Sequence, residues 1–513
     1  MRLRNWGVLL CATTALMTAC DSDDDSAPGT AGAAGSSAGA GGKSGAGNAA
    51  GKGQGGASDS AGMGNAGAGE SAGTAGEGGD TSVGGEGGGT ALSKKFTITL
   101  ENVATAKPFT SSGVFNTPLG DSGPGAATPG KKYEFTIDAG RKQKLSFVTM
   151  LAATNDLFFG PNGDGIALYD SSGAPITADV TSQIRLWDAG TEVNEEPHVG
   201  PNTVTKQGTA NTGPAEHGNV VEIANTTDVF AYPSVASVMK VSVSHTAGTL
   251  FKITIENVSS ATALMTSEGN FPAPLSPGVW VVHSGKDPLF TVGKPDRGQG
   301  LENIAEDGMP MNLGAFAAAG SGITYPTSPG VWVLHSAGSK PLFTALAPDY
   351  GKGIEAIAED GNATPLASNL NTLSGKLDGA VFNTPVGSSG PGPILPGSKY
   401  QFSLTASPGD ALSFVSMLAA TNDVFLAPDE SGIPLFDESG AAVSGDVSAQ
   451  VSLWDAGTEG NEEPGIGPNT VTNQLAPNTG TAGEGKVQLL SETGDSYPYP
   501  TAQSVLKVTL TTE

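Results

Sequence analysis

"SFVTMLAATNDLFFG" (146–160) and "QIRLWDAGTEVNEEP" (183–197) are each written twice in this chain, the second time as "SFVSMLAATNDVFLA" (413–427) and "QVSLWDAGTEGNEEP" (450–464). Both pairs lie 267 residues apart, and the same offset holds from Val114 and Val381 onward through "GPNTVT" and "SVMKVSV"/"SVLKVTL". The folded part is therefore an internal duplication. Each repeat runs an apolar, β-branched stretch into a polar corner, Asn155–Asp156 or Asn422–Asp423, and a second such stretch into Asp188–Glu192 or Asp455–Glu459.

Only the opening strands break this register. "KKFTITLENV" (94–103) matches "TLFKITIENV" (249–258) at an offset of 155, so the second copy reads as carrying an insertion of 112 residues. That insertion, at about 265–370, is itself doubled: "SPGVWVVHS" (276–284) answers to "SPGVWVLHS" (328–336), and "GQGLENIAEDG" (298–308) to "GKGIEAIAEDG" (351–361). Alternating runs such as "FTITLENV", "KYEFTID" and "SQIRLWD" read as short strands. Gly, Pro, Asn and Asp clusters between them supply turns. Helical periodicity is confined to one turn in each insert, with Leu301, Ile304 and Ala305 inward and Gly308 as its stop. The expected fold class is all-β: two antiparallel β-sandwich domains in tandem, 93–247 and 248–513.

Ahead of them, residues 1–20 read as an export signal, with Arg2 and Arg4 before a short apolar run. The run ends in "MTAC", which resembles a bacterial lipobox with Cys20 as the lipidated residue; a plain secretory signal is the alternative. The only other cysteine, Cys11, lies inside the signal, so no disulfide is expected in the mature chain. Residues 21–92 are Gly, Ala and Ser with scattered charges, too poor in apolar bulk to fold. Such a coil of about 70 residues spans roughly 45 Å on average and reads as a tether. The net charge of −26 argues against a nucleic-acid partner, which needs clustered Lys and Arg.

The two polar corners are the candidate sites. If both strands emerge at one end of a sandwich, the oxygens of Asp156, Asp188 and Glu192 converge, with Asn155 beside them; Asp423, Asp455, Glu459 and Asn422 do so in the second copy. Calcium takes six to eight such oxygens. The same residues also cap turns by bonding their own backbone, and Trp187 fits a core position with its indole N–H satisfied locally. From residue types alone, both readings stand.

"SFVTMLAATNDLFFG" followed by "LWDAGTE" resembles the N-terminal domain of the F-spondin and mindin family, where a Ser-Pro-Asp-Trp-Phe corner precedes a Trp-Asp-Ala-Gly-Thr-Asp block. The resemblance implies a C2-like β-sandwich with one Ca2+ at one end, and adhesion to matrix or cell surfaces without catalysis. Matched residue by residue, it assigns the ion to Asp156, Asp188 and Glu192, and to Asp423, Asp455 and Glu459. Glutamate stands at 192 and 459 where the animal proteins have aspartate, and Leu157 and Val424 replace a tryptophan.

Enzyme readings find little support. None of His198, His217 and His245 recurs at the 267-residue offset, and no Gly-x-Ser-x-Gly elbow follows a strand. A glycosidase needs two carboxyls across a cleft, whereas Glu192, Glu195 and Glu196 crowd one loop. His283 and His335 recur in the inserts, with Glu302, Glu306 and Asp307 matched by Glu355, Glu359 and Asp360. The histidines are expected on solvent faces opposite Trp280 and Trp332, with Glu306 and Asp307 solvated beside a helix-ending glycine; a histidine–carboxylate site for a small ligand or metal is the alternative. The sequence thus points to an exported, lipid-anchored envelope or cell-surface protein that binds a matrix, glycan or cell-surface ligand. A structural envelope protein without a dedicated ligand, or an extracellular polymer hydrolase, are the alternatives.

Overall fold

The computed structural model describes Ser93–Glu513. Residues 1–92, on which the expected export signal, lipidated Cys20 and tether fall, lie outside the described residues. In chain order the main elements are β1 (Lys94–Asn102), β2 (Ser111–Phe115), β3 (Lys132–Asp138), β4 (Lys144–Leu151), β5 (Leu157–Pro161), β6 (Ile184–Asp188), β7 (Met239–Ala247), β8 (Leu250–Asn257) and β9 (Leu275–His283). Helices α1 (Leu301–Asp307) and α2 (Met311–Gly320) follow, then β10 (Thr327–Ser336), α3 (Ile354–Asp360) and α4 (Thr364–Asn369). The remainder is β11 (Lys376–Phe382), β12 (Lys399–Ala406), β13 (Asp410–Leu418), β14 (Val424–Pro428), β15 (Val451–Asp455) and β16 (Leu506–Thr512).

The expectation of two all-β sandwiches does not hold. Six helices are interspersed among the described strands, and the strands form five separate sheets, none of them closed. A seven-stranded antiparallel sheet orders β2-β9-β4-β5-β6, and its counterpart orders β11-β10-β13-β14-β15, each finished by short strands. Each large sheet packs one face on a four-stranded sheet. Phe147, Phe159 and Leu186 meet Tyr133, Val241 and Ile253 there, and Phe414, Leu426 and Val451 meet Tyr400, Ile98 and Val508. The other face carries helices: Val148, Phe158 and Val281 pack on Leu301, Ile304 and Leu313. Burial on both faces explains why "LSFVTML" is apolar without alternation, every residue from Leu145 to Leu151 being buried. The helical turn expected before Gly308 is α1, with Leu301, Ile304 and Ala305 buried, and α3 repeats it, whereas α2, "MNLGAFAAAG", escaped periodicity because it has little polar face to contrast with its buried Leu313 and Ala317.

Strand placement also crosses the 247/248 boundary. β1 sits between β12 and β16, in register from Phe96–Leu404 and Phe96–Thr512 onward. β8 pairs instead with β7 and β3. The two halves of the insert separate as well: β9 lies between β2 and β4, and β10 between β11 and β13. The first unit is thus continuous from β2 to α2 and is inserted in the second, between β1 and β10. Relative to each other the units are circular permutants. Where β7 and β8 form a hairpin through Gly248, the equivalent β16 and β1 pair without a direct connection, and Lys95 meets Glu513 at 2.7 Å.

Candidate functional site

β4 and β5 are joined through the Thr154–Asp156 corner, and β6 runs beside β5 with Leu157 opposite Asp188. That register brings the two predicted aspartates to one end of the sheet. Asp156 is fully buried, and its carboxylate accepts the Thr191 hydroxyl at 2.6 Å and the backbone N–H groups of Thr191 and Glu192 at 2.9 and 3.2 Å. Asp188 accepts the Gly190 N–H at 2.8 Å and the Asn194 amide at 2.7 Å. Gly190 holds φ +69°, and a Cβ there would meet the Asn219 carbonyl at 2.8 Å, so the turn requires glycine. Burial pushes the Asp156 carboxyl well up and raises that of Asp188, and the Asp188 charge further opposes ionisation of Asp156. No lysine or arginine forms an ion pair with either, among the described residues.

Glu192 stands apart from this pair. Its carboxylate turns to the Gly213 N–H at 2.7 Å and the Asn155 amide at 3.3 Å, and so pins the 207–213 loop. Asn155 ties the corner together through the Val193 carbonyl and the Glu195 N–H. The second unit repeats each contact. Asp423 takes Thr458 and Glu459, Asp455 takes Gly457 and Asn461, and Glu459 takes Gly480 and Asn422. Of the predicted ligands, then, the aspartates come together in both units, and the glutamate and asparagine form a separate brace.

Two residues missed from sequence complete the rim. Asn194 also reaches Asp228 at 3.4 Å, which in turn accepts the Tyr232 hydroxyl at 2.9 Å; Asn461 reaches Asp495 at 3.2 Å, with Tyr499 behind. Both Asp228/Asp495 and Asn194/Asn461 obey the 267-residue offset, which was the signal available. The "NEEP" segment thereby finds its role: Asn194 bridges the acids, Glu195 holds Asn202 and Glu196 holds Ser267. In the second unit the rim opens onto a cavity of about 520 Å³ lined by Asp455, Asn461, Glu484, Gln488, Asp495 and Tyr497.

Trp187 faces the helix layer rather than the space between the sheets. It packs on Phe290 at 5.3 Å and donates its indole N–H to the Gly160 carbonyl at 3.0 Å. The residues expected on solvent faces are buried. His283 and His335 are 1% and 0% exposed, each with Nε2 at 2.9 Å from a buried serine, Ser146 or Ser413. Desolvation lowers both imidazole pKa values, which suits neutral, structural rings. Glu306 and Glu359 are 1% and 2% exposed rather than solvated.

The donor set fits a hard cation only in part. Two buried carboxylates without a counter-charge, a third at the rim and amide oxygens suit calcium. Among the described residues, however, no group of three or more His, Cys, Asp or Glu side chains stands together as a ready metal cage. Neither protein-family models nor curated proteins give a match to the chain.

Proposed function

We propose that this is an exported, non-catalytic binding protein of spondin-like character, tethered through lipid on Cys20, whose paired aspartates hold one calcium ion per unit. The observation that carries the reading is the Asp156–Asp188 pair and its repeat, Asp423–Asp455: like charges packed together under burial, with no basic partner. Bringing two carboxylates out of water unneutralised costs several kcal/mol per ion, so such a pair takes up a proton or a cation. Calcium would be held by Asp156 and Asp188, with Asp228 at the rim, and would supply the missing positive charge; Glu192 would brace the loop. The open, acidic, tyrosine-bearing rim then serves as the binding face for a matrix polymer, glycan or cell-surface ligand.

The test is a calcium titration of residues 93–513 followed by thermal unfolding. The expected result is a rise in melting temperature with calcium that Asp188→Asn with Asp455→Asn removes. No rise at millimolar calcium sinks the metal assignment. Binding of the calcium-loaded protein to glycan arrays or cell surfaces tests the adhesive role, and its absence leaves a structural envelope protein.

A further inference from the structure

A second acidic feature lies on the helix layer. Glu355 and Glu359 are one turn apart on α3, an arrangement of like charges that destabilises a helix by a few tenths of a kcal/mol. Glu359 lines a separate cavity of about 320 Å³, shared with Asp349, Glu355, Asp360 and Asn478. Although 2% exposed, its Oε2 has no hydrogen-bond partner, and the buried Oδ1 of Asp349 has none either. The other acids are engaged: Asp349 Oδ2 accepts the Gly351 N–H, Glu355 the Asn478 amide and Asp360 the Gln474 amide. Lys352 also lines the cavity but makes no ion pair, among the described residues. Four carboxylates against one ammonium leave the wall net negative.

The feature recurs. Glu302 and Glu306 repeat the pair on α1, and both carboxylate oxygens of Glu306, 1% exposed, lack partners. Thr191 stands close by, but its single hydroxyl proton is committed to Asp156. Unsatisfied buried acids are uncommon in native proteins and point to a group that completes them.

We propose that the α3 cavity binds a protonated primary amine, with Glu359 and Asp349 as the acceptors of its N–H donors. An organic ammonium suits the cavity better than a bare metal ion. The space far exceeds one ion, the acids are spread around it, and no three of them converge as a cage. An ammonium carries three donors and so uses separated acceptors, whereas a metal ion needs them around one point. Burial and the neighbouring acids Glu459, Glu355 and Asp360 also push the Glu359 carboxyl up to about 7, so that a bound ammonium would replace a proton near neutral pH. The amine belongs either to a free small molecule or to a lysyl side chain of a polypeptide.

The experiment titrates the calcium-saturated protein calorimetrically with n-butylamine, n-butanol and a short acetylated lysyl peptide. Butylamine is expected to bind and butanol not. Glu359→Gln is expected to weaken the amine by at least about tenfold, as loss of a hydrogen bond to a charged group does, without lowering the melting temperature. Asp349→Asn provides a second variant with the same expected direction. Peptide binding assigns the lysyl source, and butylamine binding alone assigns the free amine. Absence of amine binding, equal binding of butanol, indifference to both substitutions, or displacement of the amine by added calcium or magnesium each overturns the proposal. Asp188→Asn with Asp455→Asn is expected to leave amine binding intact, which separates failure here from failure of the calcium reading.

Discussion

Thr191 gives Asp156 both its hydroxyl, at 2.6 Å, and its backbone N–H, at 2.9 Å, and Thr458 does the same for Asp423 at 2.8 and 2.9 Å. These donors oppose burial by favouring the charged carboxylate. They therefore keep the acid available to a cation. Thr191→Val removes one donor while keeping the shape, and is expected to cost about 1 kcal/mol and to reduce the calcium-induced rise in melting temperature. Thr191→Ser is expected to restore the rise. Thermal unfolding with and without calcium checks both, and a full calcium response in the valine variant contradicts the role.

Glu306 and Glu359 set a pH dependence of a particular sign. Burial raises their folded carboxyls to about 8 and about 7, above the ordinary value of 4.5. A group raised on folding contributes stability that is complete below its unfolded pKa and is lost as pH rises through the folded value. In EDTA, the melting temperature is expected to fall as pH rises from about 4.5 to about 8, with the steepest loss near pH 6, between the unfolded and folded values. Glu306→Gln with Glu359→Gln is expected to flatten that slope and to raise stability at the alkaline end. A slope unchanged in the double variant contradicts the placement of these acids.

Much of the site was legible because the chain repeats it: Asp156 and Asp188 were found from their corners, and the offset that linked them also marked Asp228 and Asn194. Glu306 was not legible, because an acid beside a helix-ending glycine normally faces water. Its burial arises from the sheet and loop packed over α1, which no local pattern records. The strands themselves were read from alternation, but their partners were not. "FTITLENV" and "FKITIENV" have almost the same faces, so either strand fits either sheet, and only connectivity decides which one it joins. The turn of α1 was legible from Leu301, Ile304, Ala305 and Gly308, whereas α2 was not, since it is nearly uniform in polarity.

The placement of β1 yields a local test. Ile98 is fully buried between β12 and β16 in the second unit, and Ile253 occupies the matching position in the first. Ile98→Ala is expected to cost about 2 to 5 kcal/mol. Hydrogen exchange should then lose protection in β12 and β16, over 399–406 and 506–512, while β3 and β7 keep theirs. Ile253→Ala should reverse the pattern. Loss of protection in β3 and β7 on substituting Ile98 contradicts the nesting of the first unit inside the second.

Gly165 and His283 provide a stability test that bypasses the metal. Gly165 has φ +73°, and a Cβ there would lie 2.7 Å from His283 Nε2 and 2.9 Å from Ser146 Oγ. Those two atoms are themselves hydrogen-bonded at 2.9 Å in the buried layer beneath. Gly165→Ala thus combines an unfavourable backbone region with a clash against a polar pair that has no room to move, and leaves a buried imidazole without its serine. Strain of this kind costs about 1 to 3 kcal/mol, and an orphaned buried polar group costs about as much again. The expected outcome is a lower melting temperature by the same amount with and without calcium. Gly432→Ala, whose Cβ would lie 2.7 Å from His335 Nε2, should repeat it in the second unit. A calcium-dependent difference in either variant would tie the histidine–serine pair to the cation corner, which the geometry keeps separate.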